Sequence, residues 1–509
     1  MKRRVFSMLM AVMTLLVLCS CKKRSVVYSD LSYYDSDYTP AADNSTGGKE
    51  NNSSKDGTGS KNNSNSGKGG NTSVVPGTAD GEKKTFKDYN GVTLASPITL
   101  HTGSKAMDES LNFGGKKLTM AITSEPQYHT DAFSRKVAAF EKKFNCKISL
   151  KELEFNKYNQ QVTQAMSAGN SYDICFMHGS MFPAAPISNL YNDLTDYFST
   201  ADLTTKNSDK GIDLVKTSYC VWNGKVTGVC NFSAQYPFVI YYNKVLFKEN
   251  DLEDPLELYN AGKWTWSKVK SMGKKVTDAA NGIYFLSNEF TCGRCAMMCG
   301  SSLITVKNGK PVNEFKTEAT INGLNLFKSI YTGTAAIGRR SDNSTDKYGD
   351  FIKGSVFMTN EESPKYSIIA ESASKSTAFN KNKDNVGIVP MPLDNSNKSK
   401  AYPCGNMTAV CSGAGSSDPR VAVAWAKFCS TYSDPVTDKF DMSASQKELC
   451  NKLLRGNTAF GHGSYASSST STLVITSEIN NTILNGGDIA QTIENYSAQI
   501  EACIKAVVG

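Results

Sequence analysis

Three features of the sequence predict an α/β fold divided into two lobes. Residues 116–177 run strand, helix, strand, helix, strand, the order of a parallel sheet covered by helices. Residues 222–244 (WNGKVTGVCNFSAQYPFVIYYNK) hold two β-rich runs parted by a polar and aromatic bridge, as a chain passing from one sheet to another requires. With an export segment and a polar tract set aside, roughly 400 residues remain, enough to bury two cores.

The chain opens on an export signal. Lys2, Arg3 and Arg4 precede an apolar run over 5–18, too short to span a bilayer as a mature helix and of the right length for a signal peptide. It closes on Leu18-Cys19-Ser20-Cys21, which resembles a bacterial lipobox and implies Cys21 as the lipidated first residue of the mature chain. An uncleaved anchor would be a poor one, being short and followed at once by Lys22-Lys23-Arg24. Residues 41–84 are almost all Asn, Ser, Gly, Thr, Lys and Asp and cannot bury enough apolar surface to fold. A coil of that length spans roughly 35–40 Å end to end. The expected layout is a signal peptide at 1–20, a disordered tether at 21–84 and a lead-in at 85–116.

The formal net charge is +8, yet Lys and Arg are spread along the chain rather than gathered on one helix, so nucleic acid is not an expected partner. Of the 14 cysteines, Cys19 and Cys21 belong to the export signal. Export permits disulfides, but the others show no regular framework. Cys175, Cys220, Cys411 and Cys429 sit in apolar runs, where a buried thiol serves as a small hydrophobe.

Residues 116–123 (KKLTMAIT) form the first strand of the folded part. In 133–144 (FSRKVAAFEKKF), Phe133, Val137, Phe140 and Phe144 share one helical face, and 148–153 alternate as the next strand, completing a βαβ unit. A polar helix over 157–168 stops at Gly169 and leads to a third strand at 172–177. Ligands of such sheets bind beyond the carboxyl ends of the strands, here 123–125 and 178–181. Asn223-Gly224, both tolerant of positive φ, predicts a turn before a strand at 225–229. Residues 238–242 (FVIYY) read as a fully apolar strand. Trp264-Thr265-Trp266 caps a helix, its tryptophans read as core or staple in preference to ligand stackers, and 282–286 is a short strand. Ile321, Leu324, Phe327 and Ile330 are spaced for burial on a helix over 317–331. Residues 351–358 read helix, glycine turn, strand. Residues 386–392 (VGIVPMP) are expected to be the second crossover strand, 402–411 the return to the first lobe, and 419–432 a helix with Val421, Trp425 and Phe428 inward. From Gln446 onward the pattern is helical.

The run from Trp222 through Gly228, the polar bridge, and the aliphatic strand ending Tyr242-Asn243-Lys244 resemble the first inter-lobe crossover of the family 1 extracellular solute-binding proteins of ABC transporters, the maltose-binding-protein-like group. Gly169-Asn170-Ser171-Tyr172-Asp173-Ile174 with the later NLYNDLTDYF, then Trp264-Thr265-Trp266, then FIKGSVFM at 351–358, resemble further elements of that family in the same order. The likeness therefore extends from Leu118 to the C-terminus. It implies a two-lobe periplasmic-binding-protein-like fold with crossover strands between the lobes, lobe 1 at 117–235 plus 398–440 and lobe 2 at 236–397 plus 441–509. It also implies a function: a monomer, lipid-anchored on the extracytoplasmic face of the cell membrane, captures a solute, a sugar or oligosaccharide first of all. It hands that solute to the permease subunits of an ABC importer, without cofactor or catalytic residue. The residues implied to meet the solute are Ser124, Glu125, His178 and Ser180 from lobe 1, and Asn231, Gln235 and Tyr236 on the bridge. Glu289, Arg294, Asn360 and Glu361 join them from lobe 2, with Asn406 on the return strand.

Other chemistries leave weaker traces. Cys292-x2-Cys295-x3-Cys299 is the one spacing that hints at a metal, but no fourth ligand lies near and the chain has only 4 histidines; a disulfide and packed thiols are the other readings. The hydrolase and phosphate-loop patterns G-x-S-x-G, H-E-x-x-H and G-K-[ST] are absent, and Ser372-x-x-Lys375 lacks its companion motifs. Glu125, Glu289 and Glu361 would suit acid and base roles in glycoside cleavage at the right separation. They would equally accept hydrogen bonds from sugar hydroxyls beside orienting groups such as Arg294 and Asn231. An extracytoplasmic hydrolase on the same tether and a ligand-sensing subunit thus stand as alternatives. Tyr236 carries the sharpest expectation, since its ring can stack on a sugar while its hydroxyl bonds a neighbour. Tyr236→Ala is expected to weaken solute binding by about 1–3 kcal/mol and to leave the ligand-free melting temperature nearly unchanged; calorimetric titration and a thermal melt read the two, and lost stability with affinity preserved would make the residue structural.

Overall fold

Two lobes joined by a two-stranded ribbon make up the computed structural model, which describes residues 78–103, 111–154, 157–178, 189–206, 208, 210–231, 235–287, 289–339, 348–393, 404–436, 439–454, 459–460 and 472–508. The signal segment, Cys21 and the polar tract up to residue 77 lie outside the described residues.

Lobe 1 begins earlier than the sequence reading placed it. Lys83–Tyr89 (β1) and Val92–His101 (β2) pair antiparallel about Asn90-Gly91, both at positive φ (55° and 85°), as a two-residue hairpin turn demands. Strand β2 drives Leu94, Ala95, Ile98 and Leu100 into the lobe 1 core. The Ala95 amide donates to Ser218 Oγ at 2.9 Å, and Tyr89 donates to the Thr204 carbonyl at 3.0 Å. Lys116–Thr123 (β3) and Cys146–Leu153 (β4) then pair parallel over their whole length, from Lys116↔Cys146 to Thr123↔Leu153. The crossover between them is the helix Asp131–Phe144, which buries Phe133, Val137, Phe140 and Phe144 and starts on a Thr130 cap. The helix Tyr158–Ser167 leads to Cys175–His178 (β5). Val221–Trp222 (β6) and Lys225–Val226 (β7) form the small hairpin about Asn223-Gly224.

Gln235–Asn243 (β8) leaves lobe 1 and becomes the middle of lobe 2. Its alternate side chains feed two different cores: Phe238, Ile240 and Tyr242 pack on one side, Val239 and Tyr241 on the other. That is why FVIYY is apolar without interruption, since a strand covered on both faces has no polar side. Around it lie Tyr284–Leu286 (β9), the hairpin Ile304–Lys307 (β10) with Lys310–Asn313 (β11), Val356–Glu362 (β12) and Val386–Val389 (β13). Cys404–Cys411 (β14) carries the chain back, and Ala459–Phe460 (β15) adds to its start. One sheet thus runs β15-β14-β8-β12-β9, with β5 on β14 and β13 on β8.

The crossing back is made by β14 and not by β13. Strand β13 pairs only with Ile240 to Asn243 of β8, inside lobe 2, whereas β14 pairs with β8 through Gly405–Met407 and with β5 of lobe 1 through Thr408–Cys411. A second correction concerns the helix Glu318–Tyr331, where Ile321 is 37% exposed. The buried face is turned by Gly323, where an added Cβ would lie 2.4 Å from Ala296 Cα. That close approach pulls Thr320, Leu324, Phe327 and Ile330 inward and leaves Ile321 off the face. Trp264 and Trp266 both lie in the lobe 2 core, the Trp264 indole donating to the Pro390 carbonyl at 2.9 Å. The helices Thr472–Leu484 and Ile489–Val508 add Ile479, Ile483, Ile493, Ile500 and Ile504 to that core.

The lobes also touch away from the ribbon. The Gly309 amide, at the turn of the β10–β11 hairpin, donates to the Ala95 carbonyl of β2 at 3.2 Å, and Val306 of β10 is buried in the lobe 1 cluster. The ten cysteines with described side chains are thiols, and seven of them are raised: burial is the first cause for Cys146, Cys429 and Cys450, which rise to about 11, and for Cys175, Cys292 and Cys411, which rise higher still, while for Cys230, also well above its ordinary value, the first cause is its neighbour Cys220. If β1–β2 is an integral layer of lobe 1, Ile98→Ala lowers the unfolding free energy by about 2–4 kcal/mol, as for other large-to-small core changes; a loss below about 0.5 kcal/mol in chemical denaturation, the range of surface substitutions, would mean the hairpin only lies against the lobe.

Candidate functional site

Strand β12 is sandwiched between β8 and β9, so Thr359, Asn360 and Glu361 are buried at its carboxyl end. Polar groups so placed need partners, because an unmet donor or acceptor in the interior costs about 1–3 kcal/mol. The Thr359 hydroxyl lies 2.9 Å from Ser287 Oγ, and Asn360 Nδ2 donates to the Val239 carbonyl at 3.0 Å. Glu361 accepts from the Glu362 amide at 3.0 Å and from the Tyr348 hydroxyl at 3.4 Å.

Arg294 ties this strand end to the loop after β9. It stands on the short helix Cys292–Met298, whose start is capped by Thr291. Its Nη1 donates to the Glu289 carbonyl at 3.0 Å and to the Asn360 carbonyl and side-chain oxygens, each at 3.2 Å. The Glu289 carboxylate lies 3.4 Å from the same nitrogen, and the Glu361 carboxylate 3.5 Å from Nη2. The guanidinium carbon sits 4.3 Å from the centroid of the Phe238 ring, a cation-over-π contact. Arg294 is 13% exposed and both carboxylates are nearly sealed, so one cation and two anions share a volume with little water. Removing the arginine alone would strand both anions, which in comparable buried pairs costs about 3–5 kcal/mol.

A second charged contact spans the lobes. Glu125 follows β3 in lobe 1, and Lys365 follows β12 in lobe 2; their charged atoms are 3.8 Å apart, with side chains 11% and 9% exposed. The other oxygen of Glu125 accepts from the buried Thr123 hydroxyl at 2.8 Å.

Of the residues predicted from sequence, Glu289, Arg294, Asn360 and Glu361 come together in one cluster, and Glu125 stands at the line where the lobes meet. Ser124 beside it is exposed. Asn231 turns the other way, its amide donating to the Ala426 carbonyl of the lobe 1 helix Arg420–Thr431 at 2.6 Å, because Val229 to Asn231 remain bridged to lobe 1 partners. Tyr236 and Asn406 face each other in the backbone register of the ribbon, next to Gln235↔Met407, and His178 pairs with Thr408. The side chains of His178, Gln235, Tyr236 and Asn406, and the whole of Ser180, lie outside the described residues. Sequence reasoning missed Phe238, Tyr348 and Lys365. Lys365 had a legible signal, a cation directly after the strand that carries Glu361 and Glu362. The other two are identified only by what they touch. Cys292 and Cys295 are buried thiols, and among the described residues no group of three or more His, Cys, Asp or Glu has a geometry that could hold a metal ion.

The fold recurs in solved structures. The ABC substrate-binding protein of Listeria monocytogenes in complex with cycloalternan superposes with a TM-score of 0.57 at 15% identity, covering 77% of this chain and 99% of that one. The galacto-N-biose-/lacto-N-biose I-binding protein of the Bifidobacterium longum ABC transporter, with lacto-N-biose, gives 0.57 at 16%, covering 78% and 98%. The Staphylococcus aureus extracellular solute-binding protein with maltose gives 0.55 at 14%, covering 77% and 98%. At such identities the likeness speaks for the fold. No curated protein matches the sequence. No helix among the described residues is long and apolar enough to cross a membrane. The sequence profile of the bacterial extracellular solute-binding proteins matches residues 136–436, more than half of the chain and most of both lobes, and the chain therefore belongs to that family.

Proposed function

We propose that this chain is the solute-capturing lipoprotein of an ABC importer: lipid on Cys21 holds it outside the membrane, its two lobes close on a carbohydrate, and the loaded form delivers that carbohydrate to the permease. The observation that supports this most is the convergence of charged and hydrogen-bonding side chains at strand ends along the line between the lobes, Glu125 against Lys365 with the Arg294 cluster on the same strand end. A polyhydroxylated solute presents many donors and acceptors, and carboxylates, amides and a guanidinium match them. The solutes in the three fold relatives, cycloalternan, lacto-N-biose and maltose, are of that chemistry. Closure follows if the solute makes contacts to both lobes that the open form lacks. Binding is favoured over hydrolysis by one detail: Glu289 and Glu361 are both held on a single guanidinium rather than set apart as an acid and a base.

A thermal-shift panel of mono- and oligosaccharides, peptides and polyamines tests the reading. A cognate sugar at a hundred times its Kd should add about 2.7 kcal/mol to the folded state, seen as a saturable rise in melting temperature; a panel in which only peptides or polyamines produce that rise would overturn the carbohydrate assignment. Cys21→Ala should leave the chain unlipidated, released or held as precursor, and a mature-sized product still in the membrane fraction would rule out the anchor.

A further inference from the structure

We propose that Glu125 and Lys365 form a clasp that sets the balance between the open and closed lobes, and through it the affinity for solute. The inference rests on the two-lobe binding reading above, but its test needs no solute. Glu125 belongs to lobe 1 by the parallel ladder that ends at Thr123↔Leu153, and it is steered by the hydroxyl of buried Thr123. Lys365 belongs to lobe 2. The single turn Ser363–Lys365 that carries it is pinned from below by Tyr241 of β8, whose hydroxyl donates to the carbonyls of Glu362 and Ser363 at 2.8 and 2.9 Å. Each partner is thus held by its own lobe, and rotation of one lobe away from the other separates the charges.

The position of the pair gives it leverage. Both side chains are about nine-tenths buried, so the interaction is less screened than a surface ion pair, and separation returns both groups to water. The contact between the Gly309 amide and the Ala95 carbonyl is made by backbone and carries no net charge, and that of Val306 with the lobe 1 cluster is apolar. Charge substitutions at the clasp therefore act on closure without touching either.

The experiment is a distance measurement on the full-length, solute-free protein, with spin labels on noncanonical residues at Leu150 in lobe 1 and Ile321 in lobe 2, both exposed. The unsubstituted chain should show a population at the interlabel distance of this structure. Glu125→Gln and Lys365→Gln should each deplete it about three- to tenfold, the range open to a partly buried pair, and the reversed pair Glu125→Lys with Lys365→Glu should recover it. Thermal melts confirm that each variant is folded. Absence of that population in the unsubstituted chain, single variants with an unchanged distribution, or a reversed pair no better than the singles would each overturn the clasp. A failed sugar panel with a positive distance result would leave the clasp standing and discard only the solute class.

Discussion

Everything in this molecule hangs from three backbone pairs, Gln235↔Met407, Tyr236↔Asn406 and Pro237↔Gly405, where β8 and β14 run side by side between the lobes. Two antiparallel strands are stiff along their length and soft in twist and bend, so they keep the lobes in register while letting them rotate. Pro237 supplies no amide to the ladder, and it lies where β8 leaves β14 and enters the lobe 2 sheet, the place at which a missing donor is best tolerated. Beyond it the strand is locked on both faces. The ribbon is therefore the short stretch, with packed sheet on either side, over which rotation between two packed bodies would be taken up.

Arg294 with Glu289 and Glu361 is expensive to desolvate and gains little over an apolar packing of the same shape, so its presence is better accounted for by what it orients than by stability. By holding both carboxylates and the Asn360 amide, the guanidinium fixes the directions in which the end of β12 can offer hydrogen bonds. Phe238, beneath it, belongs to β8, so the orientation of this cluster is tied to the strand that forms half of the ribbon.

Much of this was legible because local pattern and tertiary role coincided. The helix face Phe133, Val137, Phe140, Phe144 is the buried face, Asn223-Gly224 does turn a hairpin, and the unbroken apolarity of 238–242 reports a strand covered on both sides. Where the two parted, the sequence misled. Ile321 has helical spacing from Leu324, but one glycine contact rotates the helix. The β1–β2 hairpin was passed over because Lys-rich β1 looks polar, and its value lies in what β2 covers. Asn231 sits on the bridge in sequence but is held by lobe 1 in space. Lys365 was overlooked because its partner Glu125 lies far away in the chain, and no periodicity encodes a contact across a cleft.

The thiols have a consequence for how long a molecule of this family lasts outside the cytoplasm. The described cysteines are thiols, mostly buried, and seven of them are raised so that little thiolate, the reactive species, exists at those positions in the folded chain. Protection therefore comes from the fold itself, and it ends for all of them at once when the chain opens. In oxidising surroundings random pairing of the liberated thiols competes with refolding, and wherever pairing wins unfolding becomes a one-way exit. Working lifetime is then governed by the rate of opening rather than by the depth of the folded minimum, and interactions absent from the unfolding transition state, wherever they lie, are the ones that lengthen it.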